Sequence, residues 1–184
     1  MDINRLQKQL GSRTDKVREL PPVENWNPPF CGDIDIVIDR SGQWHYNQSP
    51  ISRASLVNLF SSVLKKEGND YFLVTPVEKV GIRVQDVPFI IAGWQWEDKK
   101  LVLNTLQDDR VVVGNNHPVE LRFSASDNSA IPYVNVRRNL WARLHQNVYY
   151  QLLSEATETK TRTGTLRFTL QSGDYTVLLG EVSS

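Results

Sequence analysis

The residues of this sequence best suited to chemistry are arginines that flank predicted helix entrances. Arg53 follows Ser52, a good N-cap, and Arg137 and Arg138 precede Asn139, which reads as a second cap. A helix N-terminus offers unpaired amides and the positive end of the dipole. A guanidinium beside it completes a receptor for phosphate or carboxylate. Arg143, one turn into the second predicted helix, extends the same surface. The plainer reading pairs these cations with internal carboxylates such as Glu78, Asp86 or Glu120.

Aromatic spacing adds a second signal. Trp44 and Tyr46 are two residues apart, as are Trp94 and Trp96, so on a strand each pair shares a face. Such ladders suit stacking on a base, and they equally suit a core. The candidate ligand set is therefore Arg53, Arg137 and Arg143 for an anionic group, with Trp44, Tyr46 and Tyr133 against a planar part. Glu78 and Asp86 would accept hydrogen bonds from ring or sugar donors.

Catalytic signatures are missing from the sequence. It contains no Walker-type glycine loop, no GxGxxG after a strand, and no HExxH, CxxC or GxSxG. The histidines, His45, His117 and His145, lack ligand-like spacing, and no metal or cofactor is expected. Cys31 with His45 would form a nucleophile pair if the fold joined them, but a lone cysteine reads as a buried small hydrophobe. Asp33 and Asp35 flank an apolar strand residue, so turn and surface duty is expected of them rather than acid–base work.

The elements that must position these groups follow from periodicity. Residues 34–38 alternate and, after Ser41-Gly42, Trp44 resumes an extended run, which predicts a hairpin. Leu56, Phe60, Val63 and Leu64 form one helical face, with Lys65 and Lys66 in the last turn and Gly68 as the stop. Short strands are expected over 71–75, 81–84, 89–96, 100–105, 111–113 and 119–123. A second helix is expected from Leu140 to about Ser154, with its stripe on Leu140, Leu144, Val148 and Leu152. A closing hairpin follows over 165–182.

Both halves thus read as strands, one helix, then a strand pair, which suggests duplication. The predicted class is α+β: two similar halves, each a mainly antiparallel sheet with one principal helix. The expected boundaries are 1–22, an N-terminal segment that is mobile or a flap; 23–88, the N-terminal half; and 89–184, the C-terminal half.

Composition restricts the role. The chain has 184 residues, 40% of them hydrophobic and 23% charged, ordinary globular usage. Lys plus Arg and Asp plus Glu both total 21, so the basic excess of a protein that coats nucleic acid is absent. One cysteine rules out an intrachain disulfide framework. The apolar runs are too short for a membrane span, and the first residues do not read as a secretory signal, so a cytoplasmic location is expected.

The run Pro21-Pro22-Val23-Glu24-Asn25-Trp26-Asn27-Pro28, then Cys31-Gly32-Asp33-Ile34-Asp35 and Gly42-Gln43-Trp44-His45-Tyr46, is distinctive in combination. It continues through Ser49-Pro50-Ile51-Ser52-Arg53, Leu73-Val74-Thr75-Pro76-Val77-Glu78-Lys79 and Val84-Gln85-Asp86-Val87-Pro88-Phe89. With Pro132-Tyr133-Val134-Asn135-Val136-Arg137 and Leu140-Trp141-Ala142-Arg143-Leu144, it resembles the bacterial family known as domain of unknown function 1285. The resemblance implies a duplicated α+β core whose C-terminal half is loosely similar to pleckstrin homology folds. It also implies a ligand site between the halves for a nucleotide-like molecule, and a signalling role; no catalytic residues come with it. The leading expectation is a small-ligand-binding protein. A protein-interaction adaptor without a small molecule is the alternative, and an enzyme comes last.

Overall fold

The computed structural model describes residues 2–11, 19–124 and 129–183. The chain divides into two compact units, Met1–Asp86 and Val87–Ser184. Of the N-terminal segment expected to be mobile or a flap, residues 12–18 lie outside the described residues.

The first unit opens with helix α1, Ile3–Leu10. Asp2 caps it by accepting from the Asn4 amide at 3.1 Å, and Leu6 and Leu10, four residues apart, are buried. Strands β1 (Phe30–Ile38), β2 (Trp44–Tyr46) and β3 (Ser49–Pro50) form a meander. Helix α2 (Ala54–Ser62) leads to β4 (Leu64–Glu67), β5 (Asp70–Val74) and β6 (Lys79–Val84). The sheet order is β3-β2-β1-β6-β5-β4, and its central pair, β1 with β6, is parallel. The alternation predicted over 34–38 is real, because Ile34, Ile36 and Ile38 are all buried. Each contributes roughly 1.5–3 kcal/mol by leaving water.

The helix predicted from a Ser52 cap is one residue late and shorter than its apolar stripe suggests. Arg53 is the N-cap and makes no side-chain capping bond. Leu64, Lys65 and Lys66 belong to β4, not to the last helical turn. Gly68, at φ 59°, makes the turn that pairs Leu64 with Leu73 and Glu67 with Asp70. Strand pairing therefore takes over residues that, read locally, continue the helix.

The second unit carries β7 (Phe89–Glu97), β8 (Lys100–Thr105), β9 (Arg110–Val112), β10 (Val119–Phe123), β11 (Ala130–Arg137) and β12 (Leu140–Leu144). Helix α3 (Gln146–Glu155) follows, and β13 (Thr157–Lys160), β14 (Leu166–Ser172) and β15 (Tyr175–Val182) make a three-stranded sheet. The larger sheet runs β10-β11-β12-β7-β8-β9, with a parallel pair, β12 and β7, at its centre. Read from its other end, this is the first unit's order with every strand number raised by six. The halves are similar at the level of sheet topology. Their helices are not equivalent, since α2 interrupts the six strands of its unit and α3 follows those of the other.

The second predicted helix needs correction. Leu140 to Leu144 is strand β12, in which Leu140, Ala142 and Leu144 alternate as buried positions. Arg138, at φ 52°, and Asn139 make a two-residue turn that pairs Arg137 with Leu140. Asn139 is a hairpin residue, and the cap of α3 is His145, whose Nδ1 accepts from the Asn147 amide at 3.2 Å. Leucines at 140 and 144 satisfy both a four-residue helical and a two-residue strand spacing, so the apolar pattern could not separate the two.

Contacts from the β14–β15 hairpin seat the small sheet on the large one, among them the Gly173 amide donating to the Lys99 carbonyl at 2.9 Å. The Ser172 hydroxyl accepts from the Leu101 amide at 2.9 Å and donates to the Val113 carbonyl at 2.7 Å. The Tyr175 hydroxyl accepts from the Val119 amide at 3.0 Å.

Candidate functional site

The candidate ligand set divides between the units. In the first, Arg53 is exposed at the start of α2, as expected of a cation at a helix entrance. Trp44 is 1% exposed and stacks on Phe60 with ring centroids 6.5 Å apart, while Tyr46 and Asp86 are half-buried. Glu78 is buried and bonded by Arg5 and Gln9 of α1.

In the second unit the premise of cations at a helix entrance fails, because Arg137 and Arg143 lie on strands. Arg137 is held inside: its side chain is 10% exposed, Nη1 meets Asp109 Oδ1 at 2.7 Å, and the guanidinium lies 4.8 Å from the Phe89 ring centre. Burial pushes this guanidinium below its ordinary pKa, and the charge of Asp109 opposes that shift. The plainer reading of the arginines as ion-paired was thus right in kind here, with Asp109 as a partner.

Strand register brings Arg143 and Tyr133 together. They are direct cross-strand partners on β12 and β11, and Glu120 on β10 stands opposite Tyr133 in the same row. Directly opposite residues project from the same face of a sheet. The guanidinium of Arg122, two residues on from Glu120, lies 4.5 Å from the Tyr133 ring centre and 4.9 Å from that of Trp141. Glu120 Oε1 accepts from Arg122 Nε at 2.7 Å, which sets the plane of the guanidinium. The result is a strip of two arginines, a phenol, an indole and a carboxylate across three strands. A guanidinium on aromatic faces keeps in-plane donors for carboxylate or phosphate oxygens; Tyr133, 4% exposed, is the buried floor of the strip, and Trp141 is its half-buried ring. Sequence reading missed Arg122 and Trp141. The available signal was the alternation of Glu120 and Arg122 along a predicted strand, which puts both on one face.

The remaining chemistry is dispersed. Cys31 is exposed, against the expectation of a buried small hydrophobe, and it does not meet His45. His45 pairs with Val37, six residues further along β1, a separation of roughly 20 Å. The His45 Nε2 bonds Asp39 Oδ2 at 2.8 Å instead. Asp35 pairs with Arg83 on the surface, in keeping with the duty expected of it. Trp94 and Trp96 donate their indole N–H groups to Gln151 and Glu155 of α3, at 2.8 and 3.0 Å, and so tie that helix to β7. Among the described residues no three His, Cys, Asp or Glu side chains group as metal ligands, and no helix is long and apolar enough to cross a membrane.

The fold defines an α+β protein of two like halves, mainly antiparallel in its sheets. The model of the N-terminal domain of DUF1285, a domain of unknown function, matches residues 21–87, and that of the C-terminal domain matches residues 88–179. The chain belongs to the DUF1285 family. A DUF1285 family protein from Silicibacter pomeroyi DSS-3 is 37% identical, with a TM-score of 0.79 and 91% of each chain covered. Another, from Shewanella baltica OS155, is 26% identical with a TM-score of 0.54, covering 66% of this chain and 92% of its own. No curated protein matches the chain.

Proposed function

We propose that this protein binds a small anionic ligand with a planar group, a nucleotide-like molecule, on the β10-β11-β12 face of its second unit. The observation that carries the reading is the Arg122 guanidinium lying over both Tyr133 and Trp141, with Arg143 directly across from Tyr133. Arg122 and Arg143 would take the anionic oxygens, the half-buried Trp141 indole would take the planar part, and Glu120 would hold Arg122 in orientation. Reversible binding of this kind fits a role in signalling and requires no turnover.

Thermal melts over a panel of mono- and dinucleotides test the idea. A ligand at about 100 times its dissociation constant stabilises the fold by roughly 2.7 kcal/mol. The Arg143→Ala chain should stay folded and lose that shift. A flat panel up to millimolar concentration would sink the reading, as would a shift that Arg143→Ala and Arg122→Ala both leave intact. A second reading, a protein-interaction adaptor, draws support from the way α1 seats in the first unit.

A further inference from the structure

The turn between β5 and β6 presents polar groups whose partners come from outside the family domain. Thr75 is fully buried and Glu78 is 4% exposed. Within the turn, the Thr75 hydroxyl oxygen accepts from the Glu78 amide at 3.0 Å and from the Val77 amide at 3.3 Å, so the backbone is satisfied locally. The hydroxyl hydrogen and the carboxylate are directed to α1. Thr75 Oγ1 donates to Gln9 Oε1 at 2.8 Å, and Gln9 Nε2 donates to Glu78 Oε2 at 2.5 Å. The second carboxylate oxygen, Oε1, meets Arg5 Nη2 at 3.0 Å. One donor and one acceptor side by side thus read a carboxamide, and the remaining oxygen reads a guanidinium.

Leu6 and Leu10, each one residue after Arg5 and Gln9, are buried alongside. The four side chains make one face of an amphipathic helix, spaced four apart in two rows. A buried carboxylate without donors is costly, so this site needs a docked helix. Thr75 and Glu78 fall within residues 21–87, matched by the family's N-terminal domain, whereas Arg5 and Gln9 precede it. The domain therefore carries the receptor, and an appended segment supplies the occupant. Eight residues are too few for a stable isolated helix, so α1 is helical because it is docked.

We propose that the Thr75–Glu78 turn and the apolar groove beside it are a docking site for a short amphipathic helix of a partner protein, occupied in cis by α1. The partner helix carries two leucines four residues apart, each preceded by a polar residue: Arg before the first, Gln before the second. A tethered α1 competes at the high effective concentration of an intramolecular ligand, so it screens out weak partners. This site is independent of the anion face of the second unit.

The test uses the full chain and a fluorescent, capped peptide of residues 2–11, read by anisotropy. In a chain carrying Leu6→Ala and Leu10→Ala, the cis helix is weakened and the groove is unchanged. The peptide should bind that chain saturably, and at least ten times more weakly to the wild-type chain. A Gln9→Glu peptide, which sets a carboxylate against Glu78, should lose binding. A Gln9→Ala chain, which keeps both leucines, should give the same order of affinities if the double variant fails to fold. Absence of saturable binding to a weakened chain with an unchanged circular dichroism spectrum overturns the proposal, and so does equal binding of the Gln9→Glu peptide. A concentration-dependent wild-type dimer that the peptide dissolves would assign the groove to α1 of a second copy and overturn the partner reading.

Discussion

Asp39 gathers the bonds of the turn between β1 and β2 on one carboxylate. Its Oδ1 accepts from the Ser41 amide at 2.9 Å, the Ser41 hydroxyl at 2.6 Å and the Gln43 amide at 3.0 Å, while Oδ2 meets His45 at 2.8 Å. Burial alone would raise its pKa. The hydrogen bonds from Ser41, His45 and Gln43 together outweigh that and bring it to about 2. A carboxylate whose folded pKa lies below its unfolded value stabilises the fold above the unfolded pKa, and the effect is lost as pH falls through the folded one. The full effect is about 2 kcal/mol, reduced somewhat because the side chain is 27% exposed. Asp39→Asn should therefore cost about 1–2 kcal/mol in urea melts at pH 7. The gap to wild type should narrow below pH 4 and fall to a few tenths at pH 2. A gap that stays constant from pH 7 to pH 2 would remove the carboxylate's charge from the account. Arg137 illustrates the opposite use of a charge. Enclosed with Asp109 and Phe89, it ties β11 to the loop before β9 and serves packing.

Among the elements, the turn at Arg138 and Asn139 decides whether residues 140–144 become strand or helix. A two-residue hairpin loop favours residues that tolerate positive φ, and Arg138 at φ 52° is an unfavoured choice. Arg138→Gly should be more stable than Arg138→Ala by about 0.5–1 kcal/mol, visible as a higher melting temperature, because both remove the side chain and only glycine is unstrained at this φ. A β-branched Arg138→Val should lower the melting temperature. If glycine and valine shift the melt equally, the turn is not what holds β12 in register. The same turn explains what could be read in the sequence. Hairpin β1–β2 was legible because Ile34, Ile36 and Ile38 alternate without a competing helical spacing, and β10 was legible for its valine and aromatic ends. Strand β12 was not, since Asn139 is as good a helix cap as a turn residue and the leucines fit either period. The error moved Arg137 and Arg143 to a helix entrance that does not exist. It also hid the cross-strand row that unites Arg143 with Tyr133, because register is a non-local property that spacing along one strand cannot reveal.

At the scale of the whole chain, one topology is used twice, and in both units its closure is the costly step. Each six-stranded sheet is two three-stranded meanders joined by one parallel pair, β1 with β6 and β7 with β12. The meanders form from neighbours in sequence, whereas each parallel pair joins strands roughly fifty residues apart and carries the loop-closure entropy of the unit. Charge does not decide closure, for the formal net charge is zero and there is no one-signed excess to oppose compaction by self-repulsion. Burial along the central strands must therefore drive closure. Ile36 lies fully buried in the middle of β1, and Ile36→Ala should cost 2–5 kcal/mol, on the order seen for large-to-small core changes. If closure of the parallel pair limits folding, most of that loss falls on the folding limb of a urea chevron, and the unfolding limb moves little. A variant that folds at the wild-type rate and unfolds faster would place β1–β6 pairing after the barrier, with the meanders, not their junction, as the nucleus.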